Sequence, residues 1–338
     1  MIQKPRQPPA PSRKQRLLAI GLGILLALAA GELLLRIVGA PEVAPVRRGR
    51  FQLSANPRLV FEPVPGLAYE GAPDSFFEYP GASNHLGYRD RNHALAKAPG
   101  TYRIVVLGDS IAAGYRIPRT EDTFPALLER DLRAAGLAVE VVNFGVTGYN
   151  TQQEVETLRT RALAFAPDLV LVAYCHNDRR PPDPRIVQAL QEAAGGRRVL
   201  PLGEAERLLL HSALYRFVRY AVVEAQREES ADPRQGNTVE PALRELAKLS
   251  RREGFEVLLA VFPYLPKLYD REHAREHSRL ERLARQLGFH PLDLRPAFHD
   301  CQAGGFDKLR FDRYHPTKAG HRCAAGAMAA AVREIMKR

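Results

Sequence analysis

The chain has 338 residues, 45% of them hydrophobic and 26% charged, with a formal net charge of +11. That apolar fraction excludes a disordered chain and is enough for one large domain with additions. The 49 Lys and Arg residues are spread along the whole length and Trp is absent, so no basic patch alternates with aromatics and nucleic acid is not an expected partner.

Residues 1–16 carry Lys4, Arg6, Arg13, Lys14 and Arg16 without an acid and read as a basic cytoplasmic tail. Residues 17–40, "LLAIGLGILLALAAGELLLRIVGA", predict a transmembrane anchor. Its uncharged part, Leu17 to Gly31, falls short of the about 20 residues a spanning helix needs, and adding Glu32 to Ala40 reaches that length. Glu32 and Arg36 stand four apart, so they can pair on one helical face while the long Arg stem snorkels. A cationic N-terminus on the inner side puts everything after Pro41 outside; Arg47, Arg48 and Arg50, just past the span, pull against that orientation. A cleaved signal peptide is the alternative, because "ALA" at Ala27 to Ala29 has the small-x-small form of a cleavage site.

Residues 41–100, rich in Pro and Gly, predict a linker and irregular extension with a few strands packing on the main domain. Residues 101–338 then alternate between two periodicities. "YRIVVLG" (102–108), "AVEVVNFG" (138–145), "DLVLVAYC" (168–175) and "FEVLLAVF" (255–262) are apolar, β-branched runs suited to strands buried on both faces, and "FHPLDL" near Leu292 is a shorter fifth. Between them, "FPALLERDLRAAG", "TQQEVETLRTRALAFA", "VEPALRELAKLSRREG" and "REHAREHSRLERLARQLG" read as helices, with a closing helix in "PTKAGHRCAAGAMAAAVREIMKR". The alternation implies an α/β fold: a three-layer α/β/α, doubly wound parallel sheet of about five strands, preceded by the N-terminal transmembrane helix. Residues 179–238 are an insertion around one amphipathic helix, "ERLLLHSALYRFVRYAVVEA". Cys301 and Cys323 can bridge in an oxidising compartment and so close the segment holding Asp312 and His315, whereas Cys175 reads as a buried small hydrophobe.

Ligands of such a sheet bind beyond the carboxyl ends of its strands. Gly108-Asp109-Ser110 follows the first strand, Asn143, Gly145 and Gly148 the second, His176, Asn177 and Asp178 the third, and Asp312 and His315 stand in "FDRYHP" past the last. Each group alone is equally consistent with caps and tight turns. Together they supply an acyl-transfer site: Ser110 attacks, His315 takes its proton, and Asp312 orients the imidazole. The backbone amides of Ser110 and Gly145 and the side-chain amide of Asn177 are the candidate oxyanion donors, with Gly145 lacking a Cβ so that its amide can approach the substrate. Asp109 is left as a cap or a shaper of its turn.

Gly108 to Ala112 lacks the second glycine of the G-x-S-x-G elbow. The sequence instead resembles the SGNH hydrolases, the GDSL-like esterase/lipase family, through "LGDS", "NFGVTGYN", the "ND" of "CHND" and "DRYHP". The resemblance runs from about Tyr102 to the C-terminus; Cys175 stands where the family commonly has glycine. It implies a flavodoxin-like fold and ester hydrolysis by a Ser110–His315–Asp312 triad, with Ser110, Gly145 and Asn177 around the oxyanion and neither cofactor nor metal. "NHLGYRD" (84–90) and "GELLLR" in the anchor look like segments of bacterial membrane-anchored members. The expectation is therefore an inner-membrane-anchored serine esterase, periplasmic or extracellular, acting on O-acyl esters of a polysaccharide or lipid. An O-acetyltransferase or a non-catalytic component of cell-surface polysaccharide modification is the alternative. A remoter one is a zinc peptidase, since "HAREH" fits H-x-x-E-H with His273, Glu276 and His277, although that helix reads as solvated.

Overall fold

The computed structural model describes residues 12–39, 50–66, 83–182, 186–187, 190, 209, 211–215, 217–218, 238–265, 268–269, 271–302 and 305–338. The chain divides into two units, one made of Met1–Val43 with Arg198–Asp232 and the other of Ala44–Arg197 with Pro233–Arg338.

In the first unit, α1 (Arg13–Val38) starts at a capping box in which Ser12 accepts from the Gln15 amide and Gln15 returns the bond. α1 is long and apolar enough to cross a membrane by length and composition. The amphipathic helix expected at 206–225 falls largely outside the described residues. The described part is interrupted: His211 is a turn, Ser212 is irregular, and helix resumes at Ala213.

The second unit holds five parallel strands: β3 (Tyr102–Gly108), β4 (Val139–Asn143), β5 (Leu169–Tyr174), β6 (Glu256–Val261) and β7 (His290–Asp293). Their order is β4-β3-β5-β6-β7, the flavodoxin-like arrangement with its switch point between β3 and β5. Alternate residues feed opposite faces. Val105, Leu107, Val170, Val172 and Leu259 pack with α4 (Thr151–Thr160), α5 (Val239–Glu253) and α6 (Arg271–Leu287). Ile104, Val106, Leu171 and Leu258 pack with α3 (Phe124–Ala134) and α8 (Lys318–Met336). Burial on both sides accounts for the unbroken apolar runs, and the three-layer α/β/α expectation holds. Two shorter helices, α2 (Ser110–Ala113) and α7 (Arg295–Asp300), lie in the loops after β3 and β7. Cys301 and Cys323 are joined as a disulfide, and Cys175 is buried, with desolvation pushing its thiol well up.

Upstream of the sheet, β1 (Phe51–Leu53) and β2 (Phe61–Pro63) pair antiparallel. The stretch expected to be linker contributes more than strands: Tyr88 and Arg89 are each 1% exposed. Arg89 donates from its guanidinium to the carbonyls of Ala113, Gly114 and Ile117. Asp90 Oδ2 accepts from the Asn143 amide at 2.7 Å, so this segment braces the loop after β3 and the carboxyl end of β4.

Candidate active site

The turn after β3 converts a buried strand into α2 without a full capping loop. Asp109 does the capping, its Oδ1 accepting from the Ile111 amide at 2.9 Å. Ser110 is thus the first residue of the helix, where N–H groups have no partner within the helix and the dipole favours negative charge. Gly114 closes α2 in the left-handed region at φ +77°, where a side chain is strained.

Three of the expected residues meet. Ser110 Oγ lies 2.8 Å from His315 Nε2, and His315 Nδ1 lies 2.7 Å from Asp312 Oδ2. The other carboxylate oxygen, Oδ1, accepts from the Tyr314 and His315 amides at 2.9 Å each, so Asp-x-x-His spacing makes the loop wrap its own acid. Burial raises the Asp312 carboxyl, but the charge and hydrogen bond of His315 with these two amides outweigh it and hold it well below the usual range. The Tyr115 ring packs on the imidazole with centroids 4.1 Å apart. Ser110 and His315 are 3% and 5% exposed, which shields their hydrogen bond from competing water. A hydroxyl, an imidazole and a carboxylate in this series can pass a proton from oxygen to nitrogen as a new bond forms at oxygen.

Asn177 sits in a 3₁₀ turn, His176–Arg179, directly after β5. Its Nδ2 donates to Asp109 Oδ2 at 2.9 Å, which gives Asp109 a second task that the sequence did not disclose: it orients the amide across the switch point. Gly145 has a structural reason beside the expected one. Its amide donates to Asn143 Oδ1 at 2.9 Å, and a Cβ there would meet Ala112 Cβ at 2.5 Å and the Ala112 carbonyl carbon and Ala113 nitrogen at 2.7 Å. The missing side chain makes room for α2.

Behind the site lies a group of acids, one of which, Glu154, sequence reading passed over. Asp109, Glu154 and Asp178 are each at most 1% exposed, and neither oxygen of Glu154 has a hydrogen-bond partner among the described residues. Burial, then the charge of Asp109, pushes the Glu154 carboxyl well up. A carboxyl raised in the folded state contributes stability that is full below its unfolded value and is lost as pH rises. Glu154→Gln is therefore expected to unfold at the wild-type temperature in acid and at progressively higher temperature above the ordinary glutamate value of 4.5, as read by calorimetry across pH.

The "HAREH" helix is not solvated all round. In α6, Glu276 and His277 are 9% and 2% exposed. Glu276 accepts from Tyr174 Oη at 3.0 Å and is paired with Arg279. His277 lies 2.9 Å from Asp293 through Nδ1 and 3.3 Å from His176 Nε2 through its own Nε2. Among the described residues, no group of three or more His, Cys, Asp or Glu is arranged to hold a metal ion; the motif's spacing is used for packing under β5 and β7.

A family model described as GDSL-like Lipase/Acylhydrolase matches residues 106–323. An arylesterase of Vibrio mimicus is 35% identical over 83 residues, which are 25% of this chain and 41% of that protein. Among solved structures, TesA is 18% identical over 69% of this chain and 99% of its own, with a TM-score of 0.46. An acetyl xylan esterase, AlAXEase, is 18% identical over 68% and 99%, with a TM-score of 0.43. A two-domain esterase (CEX) active on acetylated mannans is 14% identical over 70% and 50%, with a TM-score of 0.44.

Proposed function

Since this chain belongs to the GDSL-like Lipase/Acylhydrolase family, we propose that it is a serine ester hydrolase whose nucleophile is Ser110, whose general base is His315 and whose orienting acid is Asp312. The observation that carries the reading is the unbroken series of hydrogen bonds, 2.8 Å from Ser110 to His315 and 2.7 Å from His315 to Asp312. Ser110 Oγ bonds to the ester carbonyl carbon while its proton passes to His315 Nε2; the imidazolium, held by Asp312, then gives that proton to the departing alcohol. Water repeats the sequence on the acyl-enzyme and releases the acid.

The oxyanion donors in this scheme are the first amide of α2 and the Asn177 Nδ2 hydrogen that is not given to Asp109. The Gly145 amide joins them by leaving Asn143 Oδ1. Each such donor contributes on the order of 3 kcal/mol to the transition state. We take the substrate to be an O-acyl ester of a cell-surface carbohydrate or lipid, and α1 to be a span with the catalytic unit on the outer side, supported by the basic residues ahead of Leu17. If a sugar hydroxyl takes the place of water, the same acyl-enzyme serves a transferase.

A fluorophosphonate probe tests the nucleophile without a substrate. Wild type is expected to be labelled and Ser110→Ala to remain unlabelled; equal labelling of both overturns the assignment.

A further inference from the structure

One polar group in the apolar helix has no part in the chemistry above. Glu32 stands sixteen residues beyond Arg16, or roughly 24 Å along α1 at about 1.5 Å per residue, inside a hydrocarbon layer about 30 Å thick. A carboxylate there is expensive unless protein donors replace water. They do. Glu32 Oε2 accepts from Ser212 Oγ at 2.8 Å and from the Leu214 amide at 2.9 Å. Oε1 accepts from the Ala213 amide at 2.9 Å and Arg36 Nε at 2.8 Å. Arg36 also donates to the His211 carbonyl at 3.0 Å.

The receiving backbone is the start of a second helix. Ser212 Oγ accepts from the Tyr215 amide at 3.1 Å, so Ser212 is its cap while Glu32 satisfies two of the first-turn amides that no residue of that helix can bind. Leu214 Cδ1 packs beside Gly31. Around this junction Leu209, Phe217 and Val218 are 44%, 42% and 51% exposed. They belong to the element tied to α1 through Glu32, and α1 itself carries twelve large apolar side chains that are 48–77% exposed.

We propose that Leu209, residues 211–215, Phe217 and Val218 belong to a second membrane-contacting element, locked by Glu32 beside the C-terminal end of α1, and that the partner of its Leu209, Phe217 and Val218 side chains is the lipid bilayer. The proposal rests on reading α1 as a span. Continuity with that helix selects lipid as the occupant: apolar side chains fixed to the end of a spanning helix share its surroundings. The Glu32 clamp also makes sense in that setting, because hydrogen bonds to a carboxylate gain most where water is scarce.

The chain contains no Trp, so single substitutions report their own depth. Full-length Phe217→Trp, Leu25→Trp and Leu95→Trp variants in lipid vesicles are compared for quenching by acyl-brominated lipid and by aqueous acrylamide; Leu95, 58% exposed, belongs to the other unit. The expected result is lipid quenching with blue-shifted emission at positions 217 and 25, and acrylamide quenching at 95. Adding Glu32→Ala is expected to turn position 217 acrylamide-sensitive while position 25 stays lipid-quenched. Acrylamide quenching at 217 with lipid quenching at 25 overturns this proposal alone. Lipid quenching at neither position overturns the span and the proposal with it, and protection of 217 from both quenchers assigns the patch to a protein partner instead.

Discussion

Ser110→Ala is expected to lower turnover of p-nitrophenyl acetate by roughly 10⁴-fold or more, the scale on which removing one member of a cooperating triad acts. The loss falls in kcat, because the hydroxyl makes its bond to substrate only as the reaction proceeds. Stability should stay within about 1 kcal/mol of wild type. The hydroxyl's partners in the folded protein are His315 and, at 3.3 Å, Asp109, and both keep other bonds: His315 to Asp312, Asp109 to Ile111 and Asn177. Turnover within tenfold of wild type in a folded variant would remove the proposed mechanism.

Gly145→Ala is the second large effect, and it combines stability with activity. The new methyl group would meet backbone atoms of Ala112 and Ala113 at 2.7 Å, and backbone has no rotamer to yield. Overpacking of that kind costs about 1–3 kcal/mol. Because α2 opens with Ser110, the displacement carries the nucleophile with it, and a shift near 1 Å costs on the order of 10²-fold in rate. Gly326→Ala is the control, since a Cβ there has nothing within 4 Å and alanine favours the helix. Calorimetry and esterase kinetics on both variants read the two effects. Wild-type kcat and unfolding temperature in Gly145→Ala would show that α2 is not held where the structure has it.

Strand and helix positions were legible in the sequence because both faces of the sheet are covered, so β5 is apolar throughout and β3 from Ile104 to Leu107. The residues of the candidate triad were legible because each follows a strand end or a short loop of distinctive composition. Relations between loops were not. Asp109 looks like a cap when only its neighbours are visible, and its bond to Asn177 spans 68 positions. "HAREH" reads as solvated because its charges are frequent, yet one face of α6 turns Glu276 and His277 inward against Tyr174 and His176. Glu154 gave no signal at all, since a carboxyl buried without a hydrogen-bond partner is what sequence pattern rules most strongly disfavour. The pairing of Glu32 with Arg36 was legible from their spacing, but the other partners of Glu32 lie 180 to 182 residues away.

Arg89 bears on where the chain can be cut. Family likeness begins at residue 106, and a natural place to trim would be the Pro99-Gly100 step just before β3. A fragment starting there keeps every residue of the proposed triad and loses the guanidinium that ties down the Ala113, Gly114 and Ile117 carbonyls, as well as the Asp90 carboxylate under Asn143. The carbonyls of the turn that ends the nucleophile's helix would then face the gap left by a fully buried side chain. The smallest transplantable form of this enzyme therefore starts upstream of its family signature, and "GYRD" travels with "GDS".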